Sequence, residues 1–131
     1  MKKKGWSKRF DFKPISTNEL WYRSKQMTVK YRLWRESVYD ELKEREKRWP
    51  FKPEDKLVFD IKVGFSSPLA DCDNPIKAIL DTWQNIFKFN DRYVFSVSSE
   101  KEIVKRGQEY FEVTVIEYED DEPKGKRRSS R

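Results

Sequence analysis

The chain has 131 residues, 40% of them charged, and a formal net charge of +6. That length supports one domain with a real core, and the positive balance favours a polyanionic partner, nucleic acid first. The chain has no histidine and one cysteine, Cys72, which excludes histidine-based triads, histidine or multi-cysteine metal centres and an internal disulfide.

A single free cysteine fits a reducing compartment. No apolar core follows the basic N-terminus, and no apolar run approaches the roughly 20 residues that span a bilayer. A cytoplasmic protein without a membrane partner is therefore expected.

Residues 1–8 are lysine-rich and read as a basic arm. Arg9 to Lys13 alternates around Phe10 and Phe12, which predicts a short strand ended by Pro14. Ser16-Thr17-Asn18 is turn chemistry, and Trp21-Tyr22-Arg23 follows. Such an aromatic, basic loop suits a base or a phosphate, or equally a plug at the edge of the core.

Thr28 to about Arg48 is the longest helix expected, with Tyr31, Trp34, Val38 and Leu42 as its apolar stripe. Basic residues fill the other faces, mixed with Glu36, Glu41, Glu44 and Glu46 toward the C-terminal end, so the N-terminal half is the better phosphate-facing surface. Trp49-Pro50 breaks the helix. Lys56 to Phe65 then alternates as a strand, with Leu57, Phe59, Ile61, Val63 and Phe65 inward and Asp60 and Lys62 outward. Gly64 marks a bulge or a close backbone approach. Leu69 stands in the loop that follows, where an apolar side chain either wedges between bases or packs.

The stretch Asp71-Cys72-Asp73-Asn74-Pro75-Ile76-Lys77 carries the chemistry. An extended Asp71-Cys72-Asp73 would point both carboxylates the same way. Asp73 and Asn74 are N-cap candidates, with Pro75 at the first helical position. Ile76, Ile79, Leu80, Trp83 and Phe87 recur at helical spacing as a buried stripe, which leaves Lys77 and Asp81 off it. Paired carboxylates repel unless a cation or a proton sits between them, and hard oxygen ligands suit Mg²⁺ or Mn²⁺. Ordinary helix capping and an ordinary i,i+4 ion pair account for the same residues without a metal.

Asp91 follows in a turn after Lys88, beside Asn90 and Arg92. Tyr93, Phe95 and Val97, then Phe111, Val113 and Val115, alternate as two strands. They read as a hairpin joined by the charged segment Ser98 to Gln108. Residues 119–131 are acidic, then basic, without apolar content, and read as a disordered tail. The order strand, helix, strand, helix, strand, strand predicts an α/β fold over residues 9–118, a mixed sheet with helices packed on it.

These residues resemble the RusA-type Holliday junction resolvases of bacteria and their phages. Lys13-Pro14-Ile15-Ser16-Thr17-Asn18-Glu19-Leu20-Trp21 is similar to that family's opening segment, and Tyr31 to Val38 to its first helix. Asp71-Cys72-Asp73-Asn74-Pro75-Ile76-Lys77, Asp81 and Asn90-Asp91 resemble its acidic signature in order and spacing. The resemblance implies a homodimeric α/β endodeoxyribonuclease that resolves four-way DNA junctions by paired symmetric nicks with Mg²⁺ or Mn²⁺, in DNA recombination and repair. It implies Asp71, Asp73 and Asp91 as metal-binding acids and Lys77 as the essential lysine. Asp81 matches a recurrent acid. The family often has two acids where this chain has Asn90-Asp91.

Arg23, Lys25, Lys30, Lys88 and Arg92 are the expected phosphate contacts. Two further readings stand beside the resolvase: a non-catalytic branched-DNA-binding module of the same fold, and a nuclease for flaps or replication forks.

Overall fold

The computed structural model of the protein describes residues 4–43, 48–71 and 73–119. The elements are β1 (Gly5–Phe10), α1 (Val29–Leu42), β2 (Leu57–Phe65), α2 (Ile76–Phe87), β3 (Val94–Ile103) and β4 (Tyr110–Glu117). This is the expected order, and the result is a mixed α/β fold: one four-stranded sheet in the order β1-β4-β2-β3. The expected tail beyond Glu119, the first three residues of the arm, and Glu44, Glu46, Lys47 and Cys72 lie outside the described residues.

β1 begins at Gly5, not at Arg9, and pairs antiparallel with β4 from Gly5↔Ile116 to Phe10↔Phe111. Trp6 is the reason. It is buried and lies edge-on to Trp49, Trp83 and Phe87, with ring centroids 5.6, 6.0 and 5.6 Å away. One buried aromatic anchors a segment whose lysines otherwise favour solvent. Phe10 extends the cluster, stacked 4.6 Å from Phe111 and edge-on to Trp83.

β3 and β4 do not form a hairpin. β3 runs parallel to β2, and β4 lies antiparallel between β1 and β2. Burial decides this placement. Phe111, Val113 and Val115 of β4 are fully buried and take a central position, whereas the serines, Glu100, Lys101 and Glu102 of β3 are tolerated at an edge. The link between them crosses the end of β2, where Val104 N–H donates to the Phe65 carbonyl at 2.8 Å. Gly64 permits the crossing: a Cβ there would overlap the Tyr110 ring and lie 3.2 Å from Val104 Cγ1.

Both helices pack on one face of the sheet. Trp34 of α1 reaches Phe111 at 5.5 Å, and Trp83 of α2 reaches Phe10 at 5.5 Å. The α1 stripe is as expected, with Tyr31, Trp34, Val38 and Leu42 buried. Thr28 caps that helix, its Oγ1 accepting from Tyr31 N–H at 3.0 Å. In α2 the buried residues are Ala78, Ile79, Thr82, Trp83 and Ile86; Ile76, Leu80 and Phe87 sit at the margin of the stripe. Among the described residues no helix is long and apolar enough to cross a membrane.

Candidate active site

β2 ends at Phe65, and a loop that includes residues 66–71 and 73–75 leads to α2. Leu69 at its tip is 89% exposed, so it does not pack. The loop is held from the side by Lys101 of β3, whose Nζ donates to the carbonyls of Pro68 at 3.0 Å and Ala70 at 2.7 Å. Lys101 escaped the sequence reading. It is one charge in an alternating edge strand, and only the parallel pairing of β2 and β3 brings it to this loop.

Asp71 and Asp73 follow directly. Asn74 N–H donates to the Asp71 carbonyl and Ile76 N–H to the Asp73 carbonyl, both at 3.2 Å, so the backbone turns here instead of running extended. Neither acid caps the helix. The N-cap is Pro75, which makes no side-chain cap hydrogen bond. Both aspartates are exposed, and among the described residues neither carboxylate has a hydrogen-bond or ion-pair partner. The turn uses their backbone and leaves their charge to solvent.

Lys77 stands on the first turn of α2, exposed, with its Nζ 3.4 Å from Asp81 Oδ2. Asp81 is half-buried and also lines a groove that continues along α2 past Gln84 and Asn85. Lys77 therefore sits between the acidic turn and that groove.

Asp91 is elsewhere in the chain. Helix α2 has 12 residues, about 18 Å of axial length, and Asp91 follows its far end. Lys88 ends the helix in a left-handed conformation, φ 61°, its N–H bonded to the Gln84 carbonyl. Asn90 then caps a short 3-10 turn, Asp91–Tyr93, its Oδ1 accepting from Arg92 N–H at 3.0 Å. That bond engages the side-chain oxygen of Asn90, the residue that stands where the resembled family often has a second acid. Asn90 and Lys88 face Pro53 and Glu54, at the end of the sheet where β2 begins. Asp71 and Asp73 lie toward the end where β2 finishes.

One chain thus brings Asp71, Asp73 and Lys77 into one neighbourhood and leaves Asp91 at the opposite end of α2. Among the described residues no three acidic or thiol side chains are grouped to hold a metal ion. The donor chemistry suits a hard divalent cation, but the described donors of one chain are not grouped around one.

The expected phosphate contacts fall in two places. Arg23, Lys25 and Lys30 lie around the start of α1, and Lys88 and Arg92 around the end of α2. Arg23 and Lys25 are exposed on a tight turn closed by the Trp21↔Met27 bridge, with Lys25 at φ 69°. Lys30 is tied to Glu19, whose carboxyl is held below its ordinary value by that lysine, against the opposing effect of burial, and by the Ser16 N–H. Arg92 lies over the Tyr93 ring at 5.2 Å. The segment from Leu20 to Arg35 carries five cations and no acid.

No protein-family model matches this chain, and a search of curated proteins finds no relative.

Proposed function

We propose that the protein is a divalent-metal-dependent, structure-specific endodeoxyribonuclease of RusA type, which resolves Holliday junctions as a homodimer. The observation that carries this reading is the set of carboxylates on Asp71, Asp73 and Asp91, which among the described residues serve neither as caps nor in ion pairs. An exposed lysine, Lys77, stands on the first turn of the helix that follows two of them, and acid-free basic chain borders the groove beside Asp81.

The separation of Asp91 from the other two acids makes the dimer part of the site. β3 is an edge strand of ten residues, and Phe95, Val97 and Ile103 are exposed on the sheet face that the helices cover elsewhere. The edge of a sheet is a template for a second strand. A two-fold pairing centred on Ser99 sets Phe95 opposite Ile103 and Val97 opposite Lys101, and sets no like charges opposite each other. It also lays the start of one β3, next to Asp91, beside the end of the other, where Lys101 grips the loop before Asp71. A second copy of the chain is thus the source of the missing carboxylate.

In that dimer Asp71 and Asp73 of one protomer and Asp91 of its partner would hold Mg²⁺ or Mn²⁺. The cation, when bound, supplies Lewis-acid polarisation of the phosphate and an acidified water. Lys77, released from Asp81 toward the scissile phosphate, stabilises the negative charge that develops there. Leu69 projects beside the cut site, placed to wedge between bases at the branch point. Two sites related by a two-fold axis match the two symmetric nicks that resolution needs.

The test is a synthetic four-way junction and a linear duplex of the same sequence, each incubated with protein in Mg²⁺, in Mn²⁺ and in EDTA. Paired, metal-dependent nicks confined to the junction are expected. Junction binding without cleavage in any metal would replace the nuclease by a branched-DNA-binding module, the reading favoured by a chain that stays monomeric. Equal cleavage of flaps or forks would broaden the substrate class.

A further inference from the structure

The groove beside Asp81 has a composition that neither capping nor the acidic turn explains. It measures about 400 Å³ and is lined by Trp21, Tyr31, Arg35, Asp81, Gln84 and Asn85. Trp21 forms one wall at the foot of the tight 22–26 turn. It is fixed edge-on to the buried Tyr31, ring centroids 5.9 Å apart, yet 47% of it remains exposed. A large aromatic ring held rigid and left open is a stacking platform.

Arg35 supplies the second unexplained group. Its guanidinium lies 5.5 Å from the Tyr31 ring centroid, and its Nε is buried with no hydrogen-bond partner among the described residues. Among the described residues it makes no ion pair; Asp81, which lines the same groove, pairs with Lys77. The Arg35 side chain also lines the groove, so an acceptor that enters there can meet the remaining guanidinium N–H donors. Opposite it are the amides of Gln84 and Asn85. Asn85 Oδ1 accepts the Tyr39 hydroxyl, which leaves the amide NH₂ to donate.

We propose that this groove takes one unpaired nucleobase of a DNA strand. Trp21 stacks on the ring, Arg35 donates to an acceptor on the base edge, and Gln84 and Asn85 complete that edge. Arg23 and Lys25, on the same turn, hold the flanking phosphates. The site requires donors and acceptors on a flat edge, which a base has and a phosphate lacks. It rests on the reading of the protein as DNA-binding but not on cleavage: the base would be extruded next to Lys77, at a branch point where pairing is already broken.

The test uses full-length protein in EDTA and short single strands carrying one 2-aminopurine, compared with the same strands carrying one abasic position in its place. The base-bearing strand should bind more tightly, with its fluorescence quenched on stacking. Trp21→Ala should weaken binding about tenfold and abolish the quench. Trp21→Phe should restore most of both, and Arg35→Gln should reduce the preference for the base over the abasic strand. Because Trp21 is half exposed, the circular dichroism of its variants should match that of the parent. Equal binding of base and abasic strands, or an unchanged quench in Trp21→Ala, would overturn the proposal. Loss of affinity in Arg35→Gln with equal binding of both strands would make the groove a phosphate site instead. Base binding without junction cleavage would sink the nuclease reading and leave this one standing.

Discussion

Lys101 Nζ lies 2.7 Å from the carbonyl oxygen of Ala70, the residue before Asp71. An edge strand thereby latches the loop that carries two of the proposed metal ligands and the exposed Leu69. Lys101→Met removes the two charge-assisted bonds and keeps the alkyl stem. Lys101 is exposed, so thermal stability should change by less than about 1 kcal/mol. Cleavage should fall about 10- to 100-fold, because small displacements of reacting groups are expensive. Junction affinity measured in EDTA should hold within a few fold. A variant that cuts at the parental rate would show that the latch does not position the site.

The split of the acids along α2 has a consequence for mixed dimers. Asp73→Asn and Asp91→Asn should each abolish cleavage as homodimers. If each site draws on both chains, co-refolding the two variants yields dimers with one intact site and one doubly defective site. Those dimers should nick a single strand of the junction and not resolve it. A mixture as inert as its parents would place all three acids in one chain and overturn the shared site.

The register of the proposed β3 pairing is open to a charge test. Val97 faces Lys101 of the partner in the pairing centred on Ser99. Val97→Lys opposes like charges twice per dimer and should shift the sedimentation profile to monomer at micromolar concentration. Val97→Glu creates two cross-strand ion pairs, each about 0.2–1 kcal/mol, and should remain dimeric. Identical behaviour of the two variants would exclude this register.

Gly64 illustrates what was legible in the chain and what was not. A glycine in a strand of otherwise strict alternation signals a bulge or a close approach, and the approach is that of the Tyr110 ring. That ring cannot retreat. Arg9 covers it at 3.9 Å, and its hydroxyl donates to Glu102 at 2.5 Å. Gly64→Ala should therefore cost about 1–3 kcal/mol in chemical denaturation. The cost should shrink when Tyr110 is truncated to alanine, since the two changes share one contact. Element order, the α1 stripe and the inward face of β2 were all readable because each depends on local periodicity. The place of β4 between β1 and β2 was not, because adjacency in sequence favours a hairpin and only the comparative burial of two strands decides otherwise. Nor was the distance between Asp73 and Asp91, which depends on α2 running straight between them. Trp6 shows the same limit in reverse: the lysines around it dominate composition, while one buried ring decides that the segment is a strand.

Glu19 couples the Trp21 loop to pH. Its carboxylate accepts from Ser16 N–H at 3.2 Å and from Lys30, while its carbonyl takes the Thr28 hydroxyl at 2.6 Å, so one residue ties the turn before Trp21 to the start of α1. The hydrogen bond from Lys30 holds its carboxyl below the ordinary value of 4.5. A depressed carboxyl stabilises the fold above the unfolded value and loses that contribution as pH falls through the lower folded value. The melting temperature of the parent should accordingly exceed that of Glu19→Gln at about pH 6 to 7, and the difference should close progressively below about pH 4.5. Nucleobase binding should follow the same profile, since the clamp fixes the wall that carries Trp21. A melting difference that persists unchanged to the lowest pH at which the protein stays folded would show that Glu19 acts by its shape and not by its charge.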